Sequence, residues 1–384
     1  MFASLRRRNP TQISPQTRRK STGGGAKPKK KLYHRVHDLD RAMDLQKKPT
    51  LILQLKSIIQ SQKSQSILLR DLEKEVGVVQ KWNLMAVIEK YPTIFHASGG
   101  SDGMPVRVRF SEKAIRVLGE ESVVWEEMEM GLVRNLRKLL MLCVDCRVEM
   151  GKIDMIRDEL GFPGMYREVV VEKYREWFCV KEWKGKEYLC LENWDSGLAV
   201  TAREERLARE GVVMDGGGGR RVRISKDGNY DGPYAFRIRY PAGFRPNASF
   251  LEELEKWQRL EFPSPYLNAR RFEAADPKAR KRVVGVLHEV LSLTIHKRMT
   301  SAQLEAFHSE LLLPSRLLLC LIKHPGIFYI TNKGARSTVF LKEAYDGPNL
   351  TEKCPLLRFY DKLMALTGRR DTEFSPGISS KMII

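Results

Sequence analysis

A short pattern that occurs three times constrains this chain more than anything else in it. Lys323-His324-Pro325-Gly326-Ile327-Phe328 is matched by Lys90-Tyr91-Pro92-Thr93-Ile94-Phe95 and, without the proline, by Lys173-Tyr174-Arg175-Glu176-Trp177-Phe178. Each copy follows two segments with apolar residues at helical spacing and precedes an extended stretch that turns back on itself. In the third copy Pro325 biases His324 to extended angles and removes an amide donor, so a helix through 317–322 ends there. Gly326 frees the turn. Ile327, Phe328, Tyr329 and Ile330 then read as a strand, Asn332-Lys333-Gly334 as a turn, and Thr338, Val339, Phe340 and Leu341 as the returning strand. Upstream, Leu304, Phe307 and Leu311 make a helical stripe, and the apolar run 317–322 predicts a helix buried on most sides.

The expectation is a mainly α chain with small β-hairpins, an α+β fold in which helix–helix–hairpin units repeat at about residues 66–110, 150–194 and 300–345. Two helices and a β-wing resemble a winged-helix module, an architecture often set on nucleic acid, although a fold does not fix a function. A helical segment at 47–65, with Leu51, Ile52, Leu55, Ile58 and Ile59 on its apolar face, leads into the first unit. There Leu68, Leu69, Leu72 and Val76 open one helix and Leu84, Met85, Val87 and Ile88 a second. Val106, Val108 and Phe110 alternate with Arg107 and Arg109 in the return strand. The two guanidinium groups face out, as phosphate contacts or as the charge that protects an edge strand. In the second unit Ile153, Ile156 and Leu160 mark the first helix and 169–177 the second. A two-residue turn at Lys184-Gly185 sets Phe178 opposite Leu191, Cys179 opposite Cys190 and Val180 opposite Leu189. Phe178, Val180, Leu189 and Leu191 then face a core. Lys181, Trp183, Lys186 and Tyr188 face the other way, a mixture that suits unpaired bases or that covers neighbouring apolar surface.

Charge is informative only once it is located. Of the formal +20, residues 1–37 carry eleven Lys or Arg and no acid, which leaves +9 for the rest. Arg6-Arg7-Arg8 follows Met1-Phe2-Ala3-Ser4-Leu5, and no acid appears before Asp38. That is the composition of an organelle transit peptide over about residues 1–30, with the mitochondrion favoured over the chloroplast because the arginines begin so early. A basic arm on nucleic acid, or a nuclear signal at 27–31, is the competing reading. Further on, Arg134, Arg137 and Lys138 lie on the polar side of a helix at 131–148. Past a charged helix at 199–211 and a glycine break at 215–219, Arg220, Arg221, Arg223, Arg237 and Arg239 flank an extended pair. Arg270 and Arg271 follow, and all of these are candidate phosphate contacts. The glycines are no nucleotide loop, since no Gly-Lys-Ser/Thr ending follows them.

Other classes recede. No apolar run approaches the roughly 20 residues that cross a bilayer. Six cysteines in 384 residues make no disulfide scaffold. Cys143-Val144-Asp145-Cys146 has metal-like or redox-like spacing but lacks a second Cys or His pair at zinc-finger distance and sits in an apolar run that reads as a buried helix, so structural thiols are expected over zinc or redox chemistry, with no metal and no cofactor. Cys320 and His324, four apart, have the spacing of a cysteine hydrolase pair on a helix, but Pro325 ends the helix at His324 and no orienting Asn or Asp is evident. No catalytic residue is expected. The polar tail 366–384, with Gly and Pro, reads as disordered.

From Phe236 onward the blocks become specific. Phe236-Arg237-Ile238-Arg239-Tyr240-Pro241 leads to Trp257-Gln258-Arg259-Leu260-Glu261-Phe262-Pro263-Ser264-Pro265-Tyr266, then to Val284-Gly285-Val286-Leu287-His288-Glu289 and Thr338-Val339-Phe340-Leu341-Lys342-Glu343-Ala344-Tyr345. These resemble the plant organelle RNA recognition (PORR) family over about residues 31–365. Glu261-Phe262 stands where the family has Pro-Tyr, and the second unit lacks a counterpart of Pro92. The resemblance implies a plant protein sent to an organelle, where it binds intron RNA and promotes group II splicing, alone or with other splicing factors. It implies no small-molecule substrate and no membrane. On the residues alone, three wings would hold cations and flat rings outward for single-stranded RNA, with duplex DNA as the alternative. Trp257, Pro263, Pro265 and Tyr266 read by themselves as a packed corner.

Overall fold

The computed structural model describes residues 35–77, 83–100, 104–212, 225, 227–241, 243–334 and 336–368. The expected transit segment, the tail from 369, and Arg220, Arg221 and Arg223 lie outside the described residues. The fold is α+β, helices with small antiparallel sheets.

Three units share one template. Each begins at the end of a long helix, His37–Ser61, Glu121–Leu142 or Pro277–Leu293. Three residues beyond each helix's C-cap the backbone turns left-handed, at Gln65, Cys146 and Lys297, with φ of 49°, 49° and 51°. Non-glycine residues seldom adopt that conformation, so its recurrence at one position marks the same local structure three times. A three-residue strand follows, Ser66–Leu68, Arg147–Glu149 or Arg298–Thr300. Helical segments and a hairpin come next, and the return strand of the hairpin lies between the other two strands.

The repeated signature closes each hairpin in the same way. The carbonyl of Tyr91, Tyr174 or His324 accepts two amides at 2.9–3.0 Å, from Ile94 and Phe95, Trp177 and Phe178, or Ile327 and Phe328. Arg175 makes this turn in the second unit where the other copies have proline, so the proline is not what the geometry requires.

Several expectations need correction. The sequence reading lacks the first strand of every unit, because three residues are too few to show alternation. Helix Leu317–Lys323 buries Leu317 and Leu321 but leaves Leu318, Leu319 and Ile322 40–42% exposed. In the second unit the second helix is a π-helical stretch, Arg167–Glu172, shorter than expected. Val180 is exposed because it lies on an edge strand, whereas Leu189 opposite it lies on the central strand and is buried. The stretch around Phe236 and Ile238 is extended but, among the described residues, belongs to no sheet. Side-chain amides stand where a neighbouring strand would be. Gln258 exchanges both hydrogen bonds with the backbone of Phe236 at 2.9 Å, and Asn229 does so with Ile238 at 2.8 and 2.9 Å.

Helix Pro277–Leu293 clamps the 257–267 block. Lys281 Nζ donates to the carbonyls of Trp257, Gln258 and Leu260 at 2.7–2.8 Å, capping helix Ala248–Arg259 where carbonyls lack helical partners. Arg282 donates to the carbonyls of Pro265 and Leu267 at 2.7 and 2.5 Å. The Tyr266 hydroxyl donates to Glu289 at 2.7 Å. Phe262 is buried 5.7 Å from the Phe236 ring centroid, so the Glu261-Phe262 departure still supplies an aromatic ring to the corner. One apolar core runs through the second and third units, and the first unit has its own around Leu55, Ile59, Leu72 and Val108. A small cluster joins Leu39 and Ala42 of helix His37–Ser61 to Tyr329, Phe340 and Tyr345 of the third unit.

Candidate nucleic-acid interface

Strand side chains alternate between faces, so register decides which residues share a surface. In the second unit Cys179 pairs with Cys190, Lys181 with Tyr188 and Trp183 with Lys186. The turn between them has φ of 53° at Lys184 and 71° at Gly185, the type I′ geometry that the two-residue loop implies. The first strand pairs Arg147 with Cys190 and Glu149 with Tyr188, which brings Arg147 onto the face of Lys181, Trp183, Lys186 and Tyr188. Its guanidinium lies 4.8 Å from the Trp183 ring centroid and 5.6 Å from that of Tyr188. The Lys184 ammonium sits 4.6 Å from the Trp183 centroid. Trp183 remains 48% exposed.

Asp145 extends this surface. It accepts two hydrogen bonds from Arg270, at 2.7 and 3.2 Å, and pairs with Arg147 at 3.5 Å. The Arg270 guanidinium holds its carboxyl below the usual carboxylate range. Next to Asp145, Val144 and Cys146 line a notch of about 330 Å³ with Trp194, Asn268 and Arg271. Trp194 is 49% exposed. Asp195 pairs with Arg137 at 3.2 Å, and Arg137 lies 4.7 Å from the centroid of Trp177. Lys181 and Lys186 pair with Glu192 and Glu149, each at 3.0 Å. Such exposed pairs are screened by solvent and contribute little to stability. They leave the two ammonium groups on the exposed face of the hairpin. A strip of cations with two open indoles offers an unpaired strand both charge neutralisation and stacking.

The remaining candidates are elsewhere. Lys138 is a correction: it is buried, with its ammonium 2.9 Å from Glu289 and 2.8 Å from the Val200 carbonyl, because the chain beyond residue 199 covers that side of its helix. Arg134 is exposed on the same helix. Arg107 and Arg109 share the outer face of the first sheet with Ser66, His96 and Ser98, a basic face without a tryptophan or tyrosine. Arg237 and Arg239 are exposed on this extended stretch; the Arg239 amide donates to the Gly326 carbonyl at 2.9 Å and its guanidinium to the Tyr345 carbonyl. The third sheet corrects the expectation that all three wings face outward. Helix His37–Ser61 lies over it, with Asp40 accepting the hydroxyls of Tyr329 and Thr331 at 2.9 and 2.6 Å.

Arg147 and Trp194 escaped the sequence reading, and Lys184 was legible only as a turn residue. Arg147 lies in a strand too short to recognise, and Trp194 follows the hairpin where no periodicity exists. The available signal was a tryptophan between Asn193 and Asp195, an apolar ring in a polar loop. Cys320 and His324 form no nucleophile pair. Burial pushes the thiol up to about 11 and the imidazole down to about 4, and the imidazole packs 4.7 Å from the Trp257 ring. Among the described residues no group of three His, Cys, Asp or Glu is placed to hold a metal.

The family model of the plant organelle RNA recognition domain matches residues 34–372. The chain belongs to this family. It is 31% identical over 335 residues to the chloroplastic Protein WHAT'S THIS FACTOR 1 homolog of Arabidopsis thaliana, an alignment covering 86% of this chain and 61% of that protein. To the chloroplastic Protein WHAT'S THIS FACTOR 1 of Zea mays it is 31% identical over 336 residues, 86% of this chain and 65% of that one. The mitochondrial Protein WHAT'S THIS FACTOR 9 of Arabidopsis thaliana is 24% identical over 279 residues, 73% and 69% of the two chains. The chain thus spans less than two thirds of the length of the two chloroplastic relatives. No solved structure matches it. In this PORR chain the tryptophan–glutamine and serine–proline–tyrosine blocks build the packed corner, whereas cations meet an open indole on the sheet of the second unit.

Proposed function

We propose that this protein binds single-stranded intron RNA in a plant organelle and promotes splicing of group II introns, the RNA supplying the chemistry. The observation that carries the RNA half is the continuous surface of Arg147, Trp183, Tyr188, Lys184, Arg270, Arg271 and Trp194. Guanidinium groups meet phosphates there while indoles stack on bases, which is how sequence-tolerant single-strand binders divide the work. The splicing half, with or without other splicing factors, rests on family kinship. The relatives' names, chloroplastic and mitochondrial, support an organelle. The early arginines of residues 1–37 favour the mitochondrion, and import into isolated mitochondria and chloroplasts decides between the two.

Duplex DNA fits less well. The helix that a winged-helix module lays in a major groove is Leu317–Lys323 in the third unit, and the side chains it exposes are Leu318, Leu319 and Ile322, with Lys323 at its end as the one exposed donor for base edges. Competition between an unpaired intron RNA fragment and duplex DNA at equal salt is the test. RNA is expected to win by about tenfold or more, with affinity falling about 0.7 log unit per phosphate contact for each log unit of salt. Arg147→Gln combined with Trp183→Ala removes a phosphate contact and a stacking contact together, so RNA affinity falls by about tenfold or more. Equal affinity for duplex DNA, or a correctly folded double variant that binds RNA as the wild type does, overturns the RNA half. Normal splicing of every organellar intron in plants lacking the protein overturns the other.

A further inference from the structure

A cavity of about 530 Å³ lies apart from this strip, between helix His37–Ser61, helix Pro355–Ala365 and the first strand of the third sheet. Clefts of roughly 300–1,000 Å³ are the size that encloses a small ligand. Leu53, Leu357 and Met364 give this one an apolar wall, with Tyr91 and Tyr360 beside them.

Arg298 distinguishes it from a packing gap. The guanidinium donates to Met43 Sδ at 3.0 Å and lies 5.5 Å from the Phe340 centroid, but no carboxylate stands within ion-pair reach among the described residues. A thioether is a weak acceptor and the guanidinium has five donors, so most of its hydrogen-bonding capacity is unused. Arg298 is only partly buried and lines the cavity, so these donors remain accessible from it. Glu159 acts on Arg298 only from beyond ion-pair reach, and the wall itself is positive. Lys353 is neutralised by Asp361 at 2.5 Å, which leaves Lys48 and Arg298 as excess cations on the wall. His296, also on the wall, adds no negative charge; burial first, then Arg298, Lys353 and Lys297, holds its imidazole down to about 3.

We propose that this cavity binds one nucleotide, its phosphate on Arg298 and its base against the apolar wall. A planar guanidinium matches phosphate oxygens two at a time. A flat heterocycle with a polar edge suits a wall that mixes leucine and tyrosine with the amide of Gln46. Arg298 also holds the place in the third unit that Arg147 holds in the second, the first residue of the first strand. The second sheet is open, whereas helix His37–Ser61 covers the third and turns the equivalent platform into a pocket for a single unit. The nucleotide is either a free mononucleotide or one nucleotide of a bound strand; only the second version rests on the RNA-binding reading.

Calorimetric titration of the full chain with adenosine and uridine 5′-monophosphates, with the uncharged nucleosides alongside, tests the site. The monophosphates bind more tightly than their nucleosides, and Arg298→Gln weakens the monophosphates about tenfold or more while leaving the nucleosides unchanged. Ala365→Trp, at an exposed position on the rim, blocks both and keeps the melting temperature, which guards against an Arg298 variant that fails to fold. The Arg147→Gln, Trp183→Ala protein retains monophosphate binding even as it loses RNA, so failure of the RNA reading shows itself separately. Competition by a short unpaired RNA assigns the site to a nucleotide of the strand, and lack of competition assigns it to a free nucleotide. Absence of monophosphate binding at millimolar concentration, or binding that Arg298→Gln and Ala365→Trp both leave intact, overturns the proposal.

Discussion

His324 belongs to the thrice-repeated signature, yet its side chain makes a contact found only in the third unit, against the Trp257 ring. Burial, with Lys323 and Lys281 nearby, holds the imidazole down to about 4 against an ordinary 6.5. Between those values the unfolded chain takes up a proton that the folded chain refuses. The contribution of His324 is therefore complete above about pH 6.5 and is lost as pH falls toward 4. His324→Phe keeps a ring on Trp257 and removes the titration, so between pH 6.5 and 4.5 the variant loses roughly 2 kcal/mol less stability than the wild type. Urea unfolding at each pH reads the difference, and parallel losses in the two proteins would show that the folded imidazole protonates normally. The sequence located the end of the helix at His324, because proline chemistry is local. It could not show Lys281 as the cap of helix Ala248–Arg259, because a lysine whose acceptors are backbone carbonyls 21 to 24 residues away leaves no pattern.

Among the elements, the hairpin Phe178–Trp183 with Lys186–Leu191 was the most legible. A two-residue loop fixes register, and register fixes both faces. Its outer face was readable down to Lys181, Trp183, Lys186 and Tyr188, but the third strand, with Arg147, was not. The turn itself offers a test. Gly185, at φ of 71°, occupies a conformation in which a β-branched residue is strained by about 1–2 kcal/mol or more. Gly185→Val is expected to splay the hairpin tip, lower the melting temperature slightly and weaken RNA binding, with the change in Trp183 environment visible by fluorescence. Gly185→Asn, tolerated at left-handed positions, is expected to behave as the wild type. If Gly185→Val binds RNA with undiminished affinity, the tip with Lys184 and Trp183 is not part of the interface.

Across the whole molecule, helix His37–Ser61 ties the third unit to the first. Its 25 residues span about 37 Å at 1.5 Å each. Ile52, Leu55 and Ile59 enter the first core, while Leu39, Asp40 and Ala42 lie on the third sheet. The sequence showed only the later part, at 47–65. Pro49 lies inside the helix, where proline ordinarily marks an end, and the buried Asp40 meets Tyr329 289 residues away. This long-range contact decides which wings are open to a ligand, two rather than three. Asp40→Ala strips this acceptor from the Tyr329 and Thr331 hydroxyls, at a cost of about 1–3 kcal/mol. Because the far end of the helix is held by a separate core, the loss is expected to be local. Amides of residues 40–46 then exchange about tenfold faster or more, while those of 52–61 keep their protection and RNA affinity at the second unit is unchanged. Hydrogen exchange read by mass spectrometry separates this from the contrary case, in which protection falls evenly along the helix and the two ends are one cooperative unit.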